Sequence, residues 1–263
     1  MTEIITSMSN SQVKNLAQLQ ARGRARSQQG LFVAEGIKMY REAPKERLAG
    51  VYVSERFIER YGWEIFEEKG AEPVVLSDRV FASVSDTKTP QGILCLIRQF
   101  SYSLPQLLGE KPLILVLENL QDPGNLGTIV RTGEGAGVTG ILLSGGCVDI
   151  YNPKVIRSTM GSIYRMPFCY TENLQDSLKW LKQQGVVLCA AHLEGRCAYD
   201  GQDYGRGIAF LIGNESKGLS RETAALADVL VTIPMCGQVE SLNASIAAAV
   251  LMYEASRQRR INS

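Results

Sequence analysis

The chain holds 263 residues, 45% hydrophobic and 21% charged, with a formal net charge of +1. That is an ordinary composition for one or two globular domains, and it sets up no global field that demands a nucleic acid. Its six cysteines, Cys95, Cys147, Cys169, Cys189, Cys197 and Cys236, form no C-x-x-C pair, which argues against a disulfide framework or zinc site and for reduced thiols in a cytoplasmic protein. No apolar run reaches the ~20 residues of a membrane span, and the first residues lack the apolar core of a signal peptide.

In chain order, the patterning predicts a helix near Ser11 to Gln20, a strand near Leu31 to Ala34 and a helix opening at Gly36. A strand Gly50 to Val53, a helix Arg56 to Lys69, a strand Pro73 to Leu76, a short helix near Arg79 and a strand Gly92 to Ile97 complete a small α/β domain. Its first 30 residues carry Lys14, Arg22, Arg24 and Arg26 against Glu3 alone. A solvated helix face is the commoner explanation of such charges; a basic arm on RNA phosphate is the sharper one. Two prolines, a glycine and mixed polarity interrupt the pattern at residues 99–112, dividing the chain into domains 1–106 and 107–263.

The second domain alternates again. Strands are expected near 113–118, 139–144, 167–171, 186–191, 208–213 and 229–234, with helices between them and a last helix from about Asn243 to Arg257. Continuous apolar runs such as Val186 to Ala191 indicate a parallel sheet covered on both faces. Gly135 to Gly140 spells G-x-G-x-x-G, but these glycines end a helix and precede a strand, the inverse of a dinucleotide fingerprint. Gly213 to Gly218 falls short of a phosphate loop because Leu219 stands where Lys is needed. His192 is the only histidine and follows a buried-looking strand, so it reads as structural. No clustered metal ligands are evident.

Three polar stretches stand at expected strand ends. In the first, the run Leu113 to Leu117 ends in Glu118 to Asn125, after which Asp122 suits an N-cap and Pro123 the first helical position. This elbow presents Asn119, Asn125 and, two turns on, Arg131 at the edge where open α/β sheets bind ligands. A guanidinium with two amides suits a phosphate or a developing oxyanion, although a capped surface helix with an exposed arginine accounts for this stretch equally well. In the second, Gly213 permits close backbone approach, Asn214 and Glu215 follow at the strand end, and Glu215 is expected to hold Arg131. In the third, Ile233 to Gly237 lead to Glu240 to Ser245, where Ser241 and Asn243 offer short hydrogen-bonding side chains or N-caps.

Together these stretches resemble the three motifs of the SpoU (TrmH-like) family of RNA ribose 2′-O-methyltransferases, in the SPOUT superfamily; the resemblance runs from Lys111 to the C-terminus. Val33 to Gly36 and Thr87 to Gly92 are similar to the substrate-binding domain of the ribosomal-RNA branch, and Arg157 to Ser162 also looks like a family segment. Arg157 is then a candidate RNA contact, with a helical turn packing on the sheet as the equal alternative. Small departures are Glu118 where aspartate is common and Gly133 where alanine is common.

The resemblance implies an α/β architecture: a SPOUT-type parallel sheet with a C-terminal trefoil knot, preceded by a small α/β RNA-binding domain. It implies S-adenosylmethionine as methyl donor, with Gly213, Asn214, Ile233, Met235, Leu242 and Leu193 around it, Ile233 and Leu242 flanking the adenine. Arg131 would stabilise the reacting oxygen, while Asn125, Glu215, Ser241 and Asn243 hold Arg131 and the ribose. RNA is the expected partner, ribosomal RNA ahead of transfer RNA, with no membrane or metal involved. The last helix, apolar nearly all round, together with the resemblance, implies a homodimer through the catalytic domain. A catalytically silent RNA-binding protein is opposed by the intact Arg131, and a nicotinamide oxidoreductase by the inverted glycine pattern. A base methyltransferase is the nearer rival, separable by nucleoside analysis.

Overall fold

The computed structural model describes residues 3–195 and 197–261. The chain forms two units, residues 1–100 with 149–164, and residues 101–148 with 165–263. It therefore passes between units at residues 100, 148 and 164, where the sequence suggested one cut at residue 106.

The first unit is built on a mixed five-stranded sheet. Its strands are β1 (Ile4–Ile5), β2 (Leu31–Glu35), β3 (Leu48–Ser54), β4 (Val74–Leu76) and β5 (Ile93–Arg98), in the order β1-β4-β3-β5-β2. The first three in that order are mutually parallel, and β5 runs antiparallel to both neighbours. Helix α1 (Ser11–Ala21) buries Val13, Leu16 and Leu19 at helical spacing. Arg22 then turns extended, and α2 (Gly23–Gln29) follows, ending on left-handed Gly30. α3 (Ile37–Glu42) follows β2, and α5 (Asp78–Val84) follows β4. The expected helix Arg56 to Lys69 is shorter: α4 (Glu55–Tyr61) stops at Gly62, whose φ of 70° is outside helical space, and only a 3-10 turn follows.

The residues that return to this unit hold it through named contacts. The Phe32 and Tyr151 rings stack at 4.7 Å. The Tyr151 hydroxyl accepts from Phe100 N–H at 2.7 Å, and the Tyr164 hydroxyl donates to the Met39 carbonyl at 3.1 Å. Between them lies α7 (Pro153–Thr159); α6 (Pro123–Ala136) falls earlier in the chain, in the second unit.

The second unit carries a seven-stranded sheet of β6 (Leu113–Leu117), β7 (Gly140–Ser144), β8 (Phe168–Thr171), β9 (Val187–Ala191), β10 (Cys197–Ala198), β11 (Ile208–Ile212) and β12 (Val229–Thr232). The order is β10-β12-β9-β11-β6-β7-β8, and every pairing is parallel. β6, β7 and β11 are buried at every residue, as a sheet covered on both faces requires. Ile114, Val116, Leu188 and Leu211 pack with Leu174, Leu178 and Leu181 of α8 (Leu174–Gln183), each such side chain worth ~1.5–3 kcal/mol of apolar burial. α6 (Pro123–Ala136) and α10 (Ala244–Ile261) also belong to this unit, with the short α9 (Arg221–Leu226) between β11 and β12. β11 and β12 stop one and two residues short of the expected 213 and 234. β10, not foreseen, is too short for any period to mark. Near the end of α10, the Arg259 guanidinium donates to four carbonyls, those of Lys111, Pro112, Tyr204 and Arg206, at 2.7–3.2 Å.

Candidate active site at the carboxyl edge of the parallel sheet

A parallel sheet delivers every strand's carboxyl end to one edge, and three loops there form the site. The first is the elbow after β6. Asn119 adopts φ 54°, a left-handed conformation that asparagine tolerates, and its N–H donates to Ser144 Oγ at 2.9 Å. Asp122 caps α6 by accepting from Asn125 N–H at 2.8 Å, and Pro123 takes the first helical position, as the sequence predicts.

The second loop, after β11, folds back on itself: Asn214 and Gly218 exchange backbone hydrogen bonds at 3.0 and 2.9 Å. A Cβ on Gly213 would lie 2.1 Å from the Gly218 carbonyl carbon, so only glycine allows this closure. The Asn214 amide donates to the Asn119 carbonyl at 2.8 Å. The Glu215 carboxylate accepts from Gln121 N–H at 3.2 Å, Asp122 N–H at 3.0 Å and the Asn125 amide at 3.1 Å. Burial works to raise the Glu215 carboxyl. The hydrogen bonds from Asp122, Asn125, its own N–H and Gln121 outweigh that and hold it below the usual glutamate range. The third loop precedes α10. The Asn243 amide donates to Asn125 Oδ1 at 2.9 Å, while Asn243 Oδ1 accepts from Ser245 N–H at 2.9 Å and Ser245 Oγ at 2.7 Å.

Glu215, Asn125 and Asn243 thus form one chain of hydrogen bonds across the three stretches. Beside them is a cavity of about 390 Å³, within the ~300–1,000 Å³ usual for small-molecule sites. Leu193, Gly213, Asn214, Glu215, Ile233, Met235, Ser241 and Leu242 all line it. Ile212, Leu219 and Ala244 add apolar wall, and His192, Glu194, Lys217 and Glu240 add polar groups. His192 Nδ1 accepts from Glu194 N–H at 3.2 Å. Apolar side chains against backbone donors and acceptors suit a purine nucleoside, and the carboxylates suit a cationic group on it. The residues therefore fit S-adenosylmethionine, the glycine cradle at Gly213 being the specific observation.

Two expectations need correction. Glu215 does not hold Arg131: its carboxylate is spent on the elbow and Asn125. Arg131 is exposed on α6, without a hydrogen bond or ion pair among the described residues, and does not line the cavity. Six residues on from Asn125, it sits roughly 120° round the helix, which spacing along the sequence concealed. Arg26, expected as an RNA contact, is only 4% exposed; it pairs with Asp149 at 2.7 Å and donates to the Leu19 and Gln20 carbonyls, so its guanidinium is buried in contacts within the unit instead of facing phosphate. Arg157 lies in α7 and forms an ion pair with Asp86, both within the first unit. Lys14, Arg22 and Arg24 are exposed.

Two residues escaped the reading. Glu118, noticed only as a departure from aspartate, is 5% exposed and accepts from three donors of the β11–α9 connection. Cys147 accepts from Leu120 N–H at 3.3 Å and donates to the Leu117 carbonyl at 3.2 Å behind the elbow. Burial pushes its thiol up, with the Ser144 hydrogen bond pulling the other way. Their strand-end positions were the only signal available.

Comparison with known proteins bears on the same segments. Residues 112–253 match the SpoU rRNA Methylase family, and residues 10–95 match the MRM3-like substrate binding domain. The chain is 36% identical to an uncharacterized tRNA/rRNA methyltransferase of Synechocystis, over 97% of this chain and 94% of that one. It is 30% identical to the Bacillus subtilis 23S rRNA (guanosine(2553)-2'-O)-methyltransferase RlmP, over 95% of this chain and 97% of the relative. The AdoMet-bound rRNA methyltransferase from Sinorhizobium meliloti superposes with a TM-score of 0.86 at 29% identity, covering 97% of this chain and 98% of that one. The chain belongs to the SpoU rRNA methylase family, enzymes that draw their methyl group from S-adenosylmethionine.

Proposed function

We propose that this site transfers the methyl group of S-adenosylmethionine to a ribose 2′-hydroxyl of ribosomal RNA. The observation that carries the reading is the Glu215–Asn125–Asn243 chain beside a glycine-cradled nucleoside-sized cavity. When bound there, S-adenosylmethionine supplies an electrophilic sulfonium methyl. Ile233 and Leu242 flank the adenine, and Gly213 and Met235 complete its surroundings. Asn125, fixed by Glu215 and Asn243, orients the ribose, with Ser241 at the rim. Arg131 stands exposed on α6 without an ion pair among the described residues, and it stabilises the 2′-oxygen as the proton leaves.

We extend the reading to the whole chain. The first unit grips the RNA, using the exposed Lys14, Arg22 and Arg24. The segment from β12 to α10 closes the cavity by threading a neighbouring loop as a trefoil knot; the sharing of one cavity by Ser241, Leu242, Ala244 and Ala247 with the loops after β9 and β11 supports this. Two chains pair through α10, where Ile246 and Tyr253 stand 49% and 50% exposed on one side of the helix. The protein works in the cytoplasm, where its free cysteines stay reduced; no described helix is long and apolar enough to cross a membrane.

Incubation with S-adenosylmethionine and ribosomal RNA, followed by nucleoside analysis, tests the activity. A 2′-O-methylated nucleoside is expected; a base-methylated one overturns the assignment. Sedimentation tests the pairing: a dimer is expected, reduced to monomer by Ile246→Glu with Tyr253→Glu, and a wild-type chain that methylates RNA as a monomer refutes it.

A further inference from the structure

Glu118 is the first residue past β6, and its N–H donates to the Ile212 carbonyl at 2.9 Å, extending the β6–β11 pairing by one step. Its side chain is buried and forms no ion pair among the described residues. Instead the carboxylate accepts from Ser220 N–H at 2.8 Å, Ser220 Oγ at 2.7 Å and Thr223 Oγ1 at 2.7 Å. Ser220 and Thr223 open α9, directly after the fold-back loop Gly213 to Leu219. Thr223 is fully buried and Ser220 already caps α9 through its own hydroxyl, so the helix is capped without Glu118. What Glu118 adds is a fixed position for the far end of that loop.

The direction of these bonds matters. Glu215 reaches from the loop to the elbow, while Glu118 reaches from the elbow to the end of the loop. Gly213 permits Gly218 and Leu219 to lie across it, and Glu118 anchors the next residue so that they do. Leu219 and Gly218 are cavity wall. We infer that Glu118 is a positioning residue of the cofactor pocket, setting that wall through the start of α9, a role resting on the proposed use of the cavity for S-adenosylmethionine.

The test is calorimetric titration of S-adenosylmethionine into the full-length wild type, Glu118→Gln, Glu118→Asp and Thr223→Val, with kcat and KM measured on ribosomal RNA and thermal unfolding recorded for each. Loss of hydrogen bonds to a buried carboxylate predicts a Kd and a KM for S-adenosylmethionine raised roughly tenfold in Glu118→Gln, with kcat within about threefold. Glu118→Asp keeps the charge and recovers part of the affinity. Thr223→Val, which leaves Glu118 in place, raises Kd in the same sense and decides the matter should Glu118→Gln not fold. Unchanged affinity in folded variants, whatever their unfolding temperature, overturns the positioning role alone. A wild type that binds no S-adenosylmethionine overturns the cavity assignment and the inference with it.

Discussion

The two sheets use their polar residues differently. In the mixed sheet, strand ends point both ways, and the polar contact of the buried Arg26 with Asp149 holds the unit together. In the parallel sheet all strand ends share an edge, and Glu118, Glu215, Asn125 and Asn243 gather there to hold loops around a cavity. Topology alone decides whether scattered polar residues converge. The arginines show the contrast most sharply. Arg26 and Arg131 both look available in sequence, but the first is structure and the second is in solvent.

Arg131→Ala is therefore expected to cost ~10²–10³ in methyl-transfer rate with unfolding temperature and S-adenosylmethionine binding preserved. Near-normal turnover on the correct RNA would place the catalytic cation elsewhere. Arg26→Ala inverts the pattern. Losing charge-assisted bonds to Asp149 and two carbonyls is expected to destabilise the first unit by about 2 kcal/mol in denaturant unfolding. A variant as stable as wild type but with weaker RNA binding would restore the phosphate role.

Gly213→Ala probes the edge itself. Its Cβ meets the Gly218 carbonyl carbon at 2.1 Å, so two backbone segments must part, and S-adenosylmethionine affinity is expected to fall roughly tenfold. Wild-type affinity would mean the loop closure does not shape the pocket. The smallest effect is a pH dependence. Glu215's carboxyl is held below its usual value, so its anchoring of the elbow is fully present above the unfolded value of about 4.3 and is lost as pH falls through the lower folded value. S-adenosylmethionine affinity should be flat from pH 5 to 8 and weaken by a few fold below roughly pH 4. In Glu215→Gln that acid limb should vanish; an identical limb in the variant would assign it to another group.

The parallel sheet was largely legible because its strands are unbroken apolar runs and its motifs stand at their ends. The mixed sheet was less so. The helical pattern runs on past Gly62 where α4 stops, and the return of Asp149 to Tyr164 to the first unit rests on contacts such as Phe32 with Tyr151, which no local pattern announces. At the site, residue identities were readable but partners were not. Glu215 and Arg131 lie on the same edge, but the acceptor geometry of the carboxylate matches two adjacent elbow N–H groups, and one-dimensional spacing cannot express that. Glu118 was hidden for the same reason, its donors lying about a hundred residues away.

Arg259 has a consequence for the order in which the molecule assembles. Its four acceptors come from separate stretches, Lys111 and Pro112 before β6 and Tyr204 and Arg206 before β11, which stand side by side only once those strands have paired. The guanidinium keeps its charge at any physiological pH, so its seat is worth taking only when all four carbonyls are present. α10 is therefore expected to dock after β6 and β11 have paired, and Leu242 and Ala244 of the cavity wall lie at or beside its start. The pocket is then expected to form after the sheet has paired, so that a chain competent to bind its methyl donor has that pairing in place.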